Sequence, residues 1–138
     1  MVDYPQMLHT VFDTPNAREL AEFYRHLLGL QYRPGDEPPA DAAASDDPDW
    51  LVLVDDVGAR KLAFQRNREM KPPTWPKPDV PMQLHVDFTV PSVEELQRQR
   101  ARAESLGATI LLDRTGDEDE PLYVFADLAG HPFCIFVA

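Results

Sequence analysis

The sequence predicts an α+β fold made of two copies of one βαβββ module, paired so that their sheets form a cup. Three observations carry this expectation. Residues 8–20, LHTVFDTPNAREL, and residues 84–96, LHVDFTVPSVEEL, match without a gap at the Leu, His, Phe, Pro, Glu and final Leu, 76 residues apart. Each stretch opens the same series of elements: strand, helix, strand, strand, strand. The segment between the two series, NREMKPPTWPKPDVP at 67–81, carries five prolines and cannot be regular structure. A module of about 60 residues leaves one sheet face uncovered and buries too little surface by itself, whereas two copies cover each other's. The expected organisation is thus one domain, 1–138, of two modules (about 1–66 and 82–138) joined by a stiff connector at 67–81.

In the first module, 6–12 (QMLHTVF) reads as a strand. Residues 15–28 read as a helix with Pro15 in its first turn and Leu20, Phe23, Tyr24, Leu27 and Leu28 on one apolar stripe, stopped by Gly29. A short strand follows near 30–33. The acidic, Pro/Ala-rich stretch 35–49 has no large apolar residue and reads as a mobile loop. Strands at 50–54 (WLVLV) and 61–66 (KLAFQR) flank a turn at 55–58. In the second module, 82–90 (MQLHVDFTV) reads as a strand. Ser92 with Glu95 three residues on is a capping box for a helix that runs to about Leu106 and stops at Gly107. Strands are expected at 108–112, 121–126 and 132–137, with a solvated acidic loop at 113–120 and a tight turn from Asp127 to Gly130.

Bulk properties exclude several function classes. The formal charge of −11 and a pI near 4.6 argue against nucleic-acid and anionic-membrane partners, which need a basic face. No apolar run approaches the ~20 residues of a membrane span. The opening MVDYPQML lacks the basic and apolar regions of a secretory leader. A single cysteine, Cys134, makes no internal disulfide, and the expected location is cytoplasmic. Gly-rich phosphate loops, serine elbows and CxxC pairs are missing from the sequence.

Strand alternation places His9 with Val11, and His85 with Asp87 and Thr89, each on one face. The opposite faces, Leu8, Thr10, Phe12 and Leu84, Val86, Phe88, are more apolar and suit a helix. The two histidines are therefore expected to point into the cup. Asp87 is placed either to orient His85 or to act as a base, or else to be a half-exposed strand carboxylate. Strand aromatics such as Trp50, Phe64, Phe88, Tyr123, Phe125 and Phe136, and Trp75 of the connector, divide between the core and an apolar pocket for a planar molecule. Trp75 serves either that pocket or as a pin for the connector.

The stretch HTVFDTPNARELAEFYRHLLGL (9–30), a His strand running into a helix with Phe-Tyr and ending Leu-Gly, resembles the opening motif of the vicinal oxygen chelate superfamily. DLAGHPFCIF (127–136) resembles its closing motif, an Asp-x-x-Gly turn before an apolar strand. The resemblance covers the whole chain. That group includes glyoxalases, ring-cleaving dioxygenases, methylmalonyl-CoA epimerases and bleomycin-type resistance proteins, and the Phe-Cys after Gly-His-Pro is similar to a glyoxalase-like branch common in actinobacteria. The resemblance implies paired βαβββ modules, a homodimer, and two metal-ligating histidines, which fall on His9 and His85. It also implies glutamates on the terminal strands. The second of these positions holds Cys134; the first falls on Ala63 or Gln65, and neither is a carboxylate.

Two functions follow as expectations. One is a small-molecule binder of the bleomycin-resistance kind that works without metal, its pocket lined by His9, Gln65, Trp75, His85, Asp87, Cys134 and Phe136. The other is a lyase, isomerase or dioxygenase that uses His9 and His85 to hold divalent zinc, nickel, manganese or iron.

Overall fold

Residues 3–138 are described by a computed structural model. The chain separates into two compact units, with the boundary between Met70 and Lys71, inside the proline-rich segment.

The first unit contains β1 (Thr10–Thr14), α1 (Ala17–Leu28), β2 (Gln31–Tyr32), β3 (Trp50–Val54) and β4 (Arg60–Arg66). Its sheet has the order β1-β4-β3-β2, with β1 parallel to β4 and the other pairs antiparallel. Helix α1 forms because Leu20, Phe23, Tyr24 and Leu27 recur at helical spacing and are all buried. Tyr24 anchors it: the ring lies 5.5 Å from Phe12 of β1 and 5.9 Å from Phe64 of β4. The helix starts at Ala17, two residues later than the expected start at Pro15. Asn16 is the N-cap, and its side-chain oxygen accepts from the Glu19 N–H at 3.1 Å, so Pro15 sits outside the helix. Gly29 ends it in a left-handed conformation, φ 69°.

The acidic stretch at 35–49, expected to be a mobile loop, is tied down along its length. Arg18 pairs with Asp46 at 2.7 Å, Arg66 with Asp47 at 2.8 Å, and an Asp36 carboxylate oxygen accepts from the Val52 N–H at 2.9 Å. Composition alone marks the loop as mobile. The arginines that hold it lie on α1 and β4, beyond the reach of any local pattern.

The second unit contains β5 (Val86–Val90), α2 (Val93–Ser105), β6 (Thr109–Asp113), β7 (Leu122–Ala126) and β8 (Pro132–Val137), in the sheet order β5-β8-β7-β6. The capping box forms as read, with Ser92 Oγ accepting from the Glu95 N–H at 3.1 Å. The core holds Leu96, Phe125 and Phe133, the last two stacked at 5.0 Å. No helix or strand forms in 67–81. Its second half folds about Thr74, whose hydroxyl oxygen accepts from the Val80 N–H at 2.9 Å.

Both opening strands begin later than the sequence pattern suggests, at Thr10 rather than 6 and at Val86 rather than 82. The ladder of β1 starts where Thr10 meets Leu62, and that of β5 where Val86 meets Phe133. Leu8 and Leu84, apolar but unpaired, are 59% and 45% exposed. His9 and His85 therefore stand at the entrances of β1 and β5, each one residue before the ladder.

Candidate functional site in the second module

Register decides what surrounds His85. Strands β5 and β8 run parallel, with Asp87 directly opposite Cys134. His85 is two residues before Asp87 and so shares its face. The imidazole Nε2 lies 3.2 Å from Asp87 Oδ1. One ligand-type atom from each of His85, Asp87 and Cys134 falls within 4.8 Å of the others. The Asp-x-x-Gly turn sets the start of β8. Buried Asp127 accepts from the N–H groups of Ala129 and His131, at 2.9 and 3.0 Å, and Gly130 takes φ +91°. His131 shapes this turn.

The Cys134 thiol is pushed up to about 11, first by burial and then by the negative charge and hydrogen bond of Asp87. It is a protonated thiol at neutral pH, which disfavours a nucleophilic role. Beside it lies a cavity of about 60 Å³, lined by Trp75, Met82, His85, Val124, Pro132 and Cys134. Val124 is there because it pairs with Cys134 across β7 and β8. Four of these residues carry apolar side chains, and the wall of the cavity is apolar almost throughout.

Of the residues singled out from the sequence, His85, Asp87, Cys134 and Trp75 are thus brought together. Phe136, two residues beyond Cys134 on the same face and opposite Thr89, is half-buried and outside the cavity lining. Met82, Val124 and Pro132 were missed, since their place depends on which strand lies beside which.

The first unit answers the open question of register. Val11, the counterpart of Asp87, pairs with Ala63, so Ala63 rather than Gln65 occupies the position equivalent to Cys134. Ala63 forms a buried apolar cluster with Val52 and Val54. Gln65 is exposed, opposite Asp13 on one side and Trp50 on the other. His9 packs its ring 5.8 Å from that of Trp50. Its Nδ1 is buried with no hydrogen-bond partner among the described residues.

Burial, then the nearby charges of Arg60 and Arg33, lower the pKa of His9 below 6.5. Its protonation opposes folding, so its contribution to stability is present above 6.5 and is lost as pH falls through the lower folded-state value. An NMR titration of the ring protons is expected to place the midpoint below 6.5, and Arg60→Gln to move it upward without fully restoring it, because burial is the larger cause. A wild-type midpoint at or above 6.5 would contradict this environment.

The sequence pattern of the glyoxalase-like domain family matches residues 9–136. The chain belongs to that family. Solved structures show the same paired βαβββ fold of the vicinal oxygen chelate superfamily. Hypothetical protein SA1046 of S. aureus is similar at a TM-score of 0.65 and 16% identity, over 96% of this chain and 97% of that one. A glyoxalase/bleomycin resistance protein/dioxygenase family enzyme from Burkholderia phytofirmans PsJN is similar at 0.65 and 14%, over 94% and 96%. A mutant of the fosfomycin resistance protein FosX from Listeria monocytogenes, complexed with Mn(II) and 1S,2S-dihydroxypropylphosphonic acid, is similar at 0.67 and 14%, over 100% and 94%. No curated protein sequence matches the chain.

The residues present do not fit the histidine-and-glutamate metal set that the superfamily resemblance implies. Ala63 has no donor atom and lies in a buried apolar cluster. Cys134 offers sulfur where a carboxylate is expected, and hard ions such as Mn(II) favour oxygen. No helix among the described residues is long and apolar enough to cross a membrane.

Proposed function

We propose that this chain binds a small apolar or aromatic molecule, and that the cavity beside Trp75 in the second module holds part of it. The observation that carries the reading is the lining: Trp75, Met82, Val124 and Pro132, together with His85 and Cys134, give an almost wholly apolar wall. At about 60 Å³ the cavity admits a few small groups; a drug-sized ligand needs about 300 Å³ or more, so the cavity is an anchoring subsite. An aromatic wall and apolar contacts call for no metal. The reading takes the chain as a homodimer, in keeping with the family resemblance, and as cytoplasmic, in keeping with its single cysteine.

A thermal-shift screen of planar hydrophobic compounds is expected to find stabilising ligands, and Trp75→Ala to weaken them by about tenfold through the lost stacking face. The native mass of the same sample is expected at twice 15.7 kDa. Compounds that bind equally well without Trp75 would argue against this cavity, and a monomeric mass against the dimer.

A second reading is a divalent-metal-dependent lyase, isomerase or dioxygenase drawing on His9 and His85; the approach of Asp87 and Cys134 to His85 supports it on the His85 side, and His9 is not part of that group. Metal analysis of protein purified without chelator separates the two. Stoichiometric zinc, nickel, manganese or iron, lost on His9→Ala or His85→Ala together with activity, favours the enzyme.

A further inference from the structure

We propose that the first module carries a separate site for a small organic carboxylate, with Arg60 as its anion-binding group and the Trp50 ring against its apolar body. Strand pairing places these residues. Val52 of β3 faces the same way as Ala63 of β4, and Ala63 the same way as Val11 of β1, so the three form one line across the sheet. The Arg33 N–H donates to the Val52 carbonyl at 2.9 Å and extends that line beyond β2. Alternation adds His9 and Trp50 to the same face, where their rings meet at 5.8 Å. Arg60 joins them through an irregularity. Leu53 pairs with Leu62 but Val54 pairs with Arg60, so β4 holds one extra residue at Lys61. Unbroken alternation from Leu62 would aim Arg60 at the side of α1. The bulge turns it instead to the face of Val52, Val54 and Ala63.

Charge singles out Arg60 on that face. It is half-buried, and its guanidinium has no acidic partner among the described residues. The basic residues around it are ion-paired: Arg33 with Asp36, Lys61 with Asp55 and Arg66 with Asp47. After burial, the charges of Arg60 and then Arg33 lower the pKa of His9, so both positive fields reach the space beside that ring. Asp13, on the same face, accepts from the Asn67 side chain at 3.2 Å. One uncommitted guanidinium answers one negative charge. A carboxylate brings that charge on two oxygens that match the guanidinium fork. A phosphate group brings about −1.5 to −2 and leaves part of it unanswered. Buried Val52, Val54 and Ala63, with Trp50 36% exposed beside them, suit a carbon skeleton or ring. Acidic groups elsewhere on the chain oppose the anion little at physiological salt, because charges beyond a Debye length of about 8 Å are largely screened. None of these residues lines the cavity beside Trp75, so the inference does not rest on the reading of the second module.

Titrations with sodium benzoate, acetate and inorganic phosphate, at constant ionic strength with chloride as the balancing anion, test it through the NMR signals of Arg60 Nε–H and the His9 ring. Benzoate is expected to shift both signals and to bind more tightly than acetate, which has no ring to lay against Trp50. Arg60→Gln is expected to weaken benzoate by about 10-fold or more, the worth of a charge-assisted hydrogen bond, and Arg60→Lys to keep part of the affinity. Arg33→Gln is expected to cost less, since Asp36 already holds that guanidinium. Trp50→Leu is expected to bring benzoate down to the affinity of acetate, and Trp75→Ala to leave this site as it is. An Arg60 signal that responds no more to benzoate than to chloride, a benzoate affinity untouched by Arg60→Gln, or phosphate binding more tightly than benzoate would overturn the proposal. Planar compounds that lose affinity with Trp75→Ala but not with Arg60→Gln, in a protein whose Arg60 signal ignores benzoate, would sink this site and leave the second-module cavity standing.

Discussion

Replacing Phe64 with alanine is expected to destabilise the protein by about 3–5 kcal/mol, the range for deleting a fully buried aromatic ring. Phe64 has no exposed surface and sits at the centre of the first module's aromatic core. Its ring stacks on Tyr24 at 5.9 Å and meets Phe12 edge-on at 6.0 Å. The loss is the transfer energy of the ring together with a cavity that three strands and a helix cannot close. Urea denaturation measures it as a fall in midpoint at unchanged slope. A loss below about 1 kcal/mol would mean that the ring is not in the core, given what single surface substitutions cost. The face of β4 would then be misassigned. Phe64 and Ala63 are neighbours on one strand and point to opposite faces, so the helix-side position of Phe64 fixes the other face for Ala63.

That dependence explains what the sequence could and could not disclose. The duplicated LHxxFxxPxxxEL announced two modules because a strand-to-helix entry makes the same local demands each time. An apolar alternation starts the strand, a capping residue opens the helix, and an apolar stripe covers the sheet. Strands β3 and β8 fall at 50–54 and 132–137, as their patterns suggest, since turns bound both closely. The starts of β1 and β5 were less legible. Leu84 continues the alternation past Pro132, the first residue of β8, and Leu8 continues it past the first paired residue of β1 although β4 itself begins at Arg60; a single strand carries no record of where pairing with its neighbour begins. The histidine faces were readable from alternation alone. The neighbours of His85 were not, because Asp87 and Cys134 are 47 residues apart and meet only through the adjacency of β5 and β8. The same holds for the choice between Ala63 and Gln65, which is a statement about the β1–β4 ladder. Position 134 by itself is a single cysteine in an apolar strand. Its thiol acquires partners only when β5 is laid beside β8.

Installing the missing carboxylate is expected to have opposite consequences in the two modules. Ala63→Glu should cost about 4 kcal/mol or more, since it forces a larger, ionisable group into an apolar site and leaves a buried charge without a partner. Ala63 has no exposed surface, and its cluster partners Val52 and Val54 offer the new side chain no donor. If the glutamate persists there it will be protonated, and the penalty should shrink as pH falls, because burial raises a carboxyl pKa and the stability deficit appears only as pH rises above the unfolded value. Cys134→Glu should cost no more than about 2 kcal/mol, the combined effect of added volume and like-charge repulsion from Asp87 at a half-exposed position. The new carboxylate has the cavity beside Trp75 to extend into, with His85 within reach. Paired denaturation curves at pH 7 and pH 5 read both numbers. Equal losses at the two sites would show that Ala63 and Cys134 occupy similar environments. The larger expected loss at Ala63 follows from burial alone. A strand position with no exposed surface and only apolar neighbours offers nothing to answer a charge, whereas the equivalent position on β8 is half-buried beside an acidic group and an imidazole.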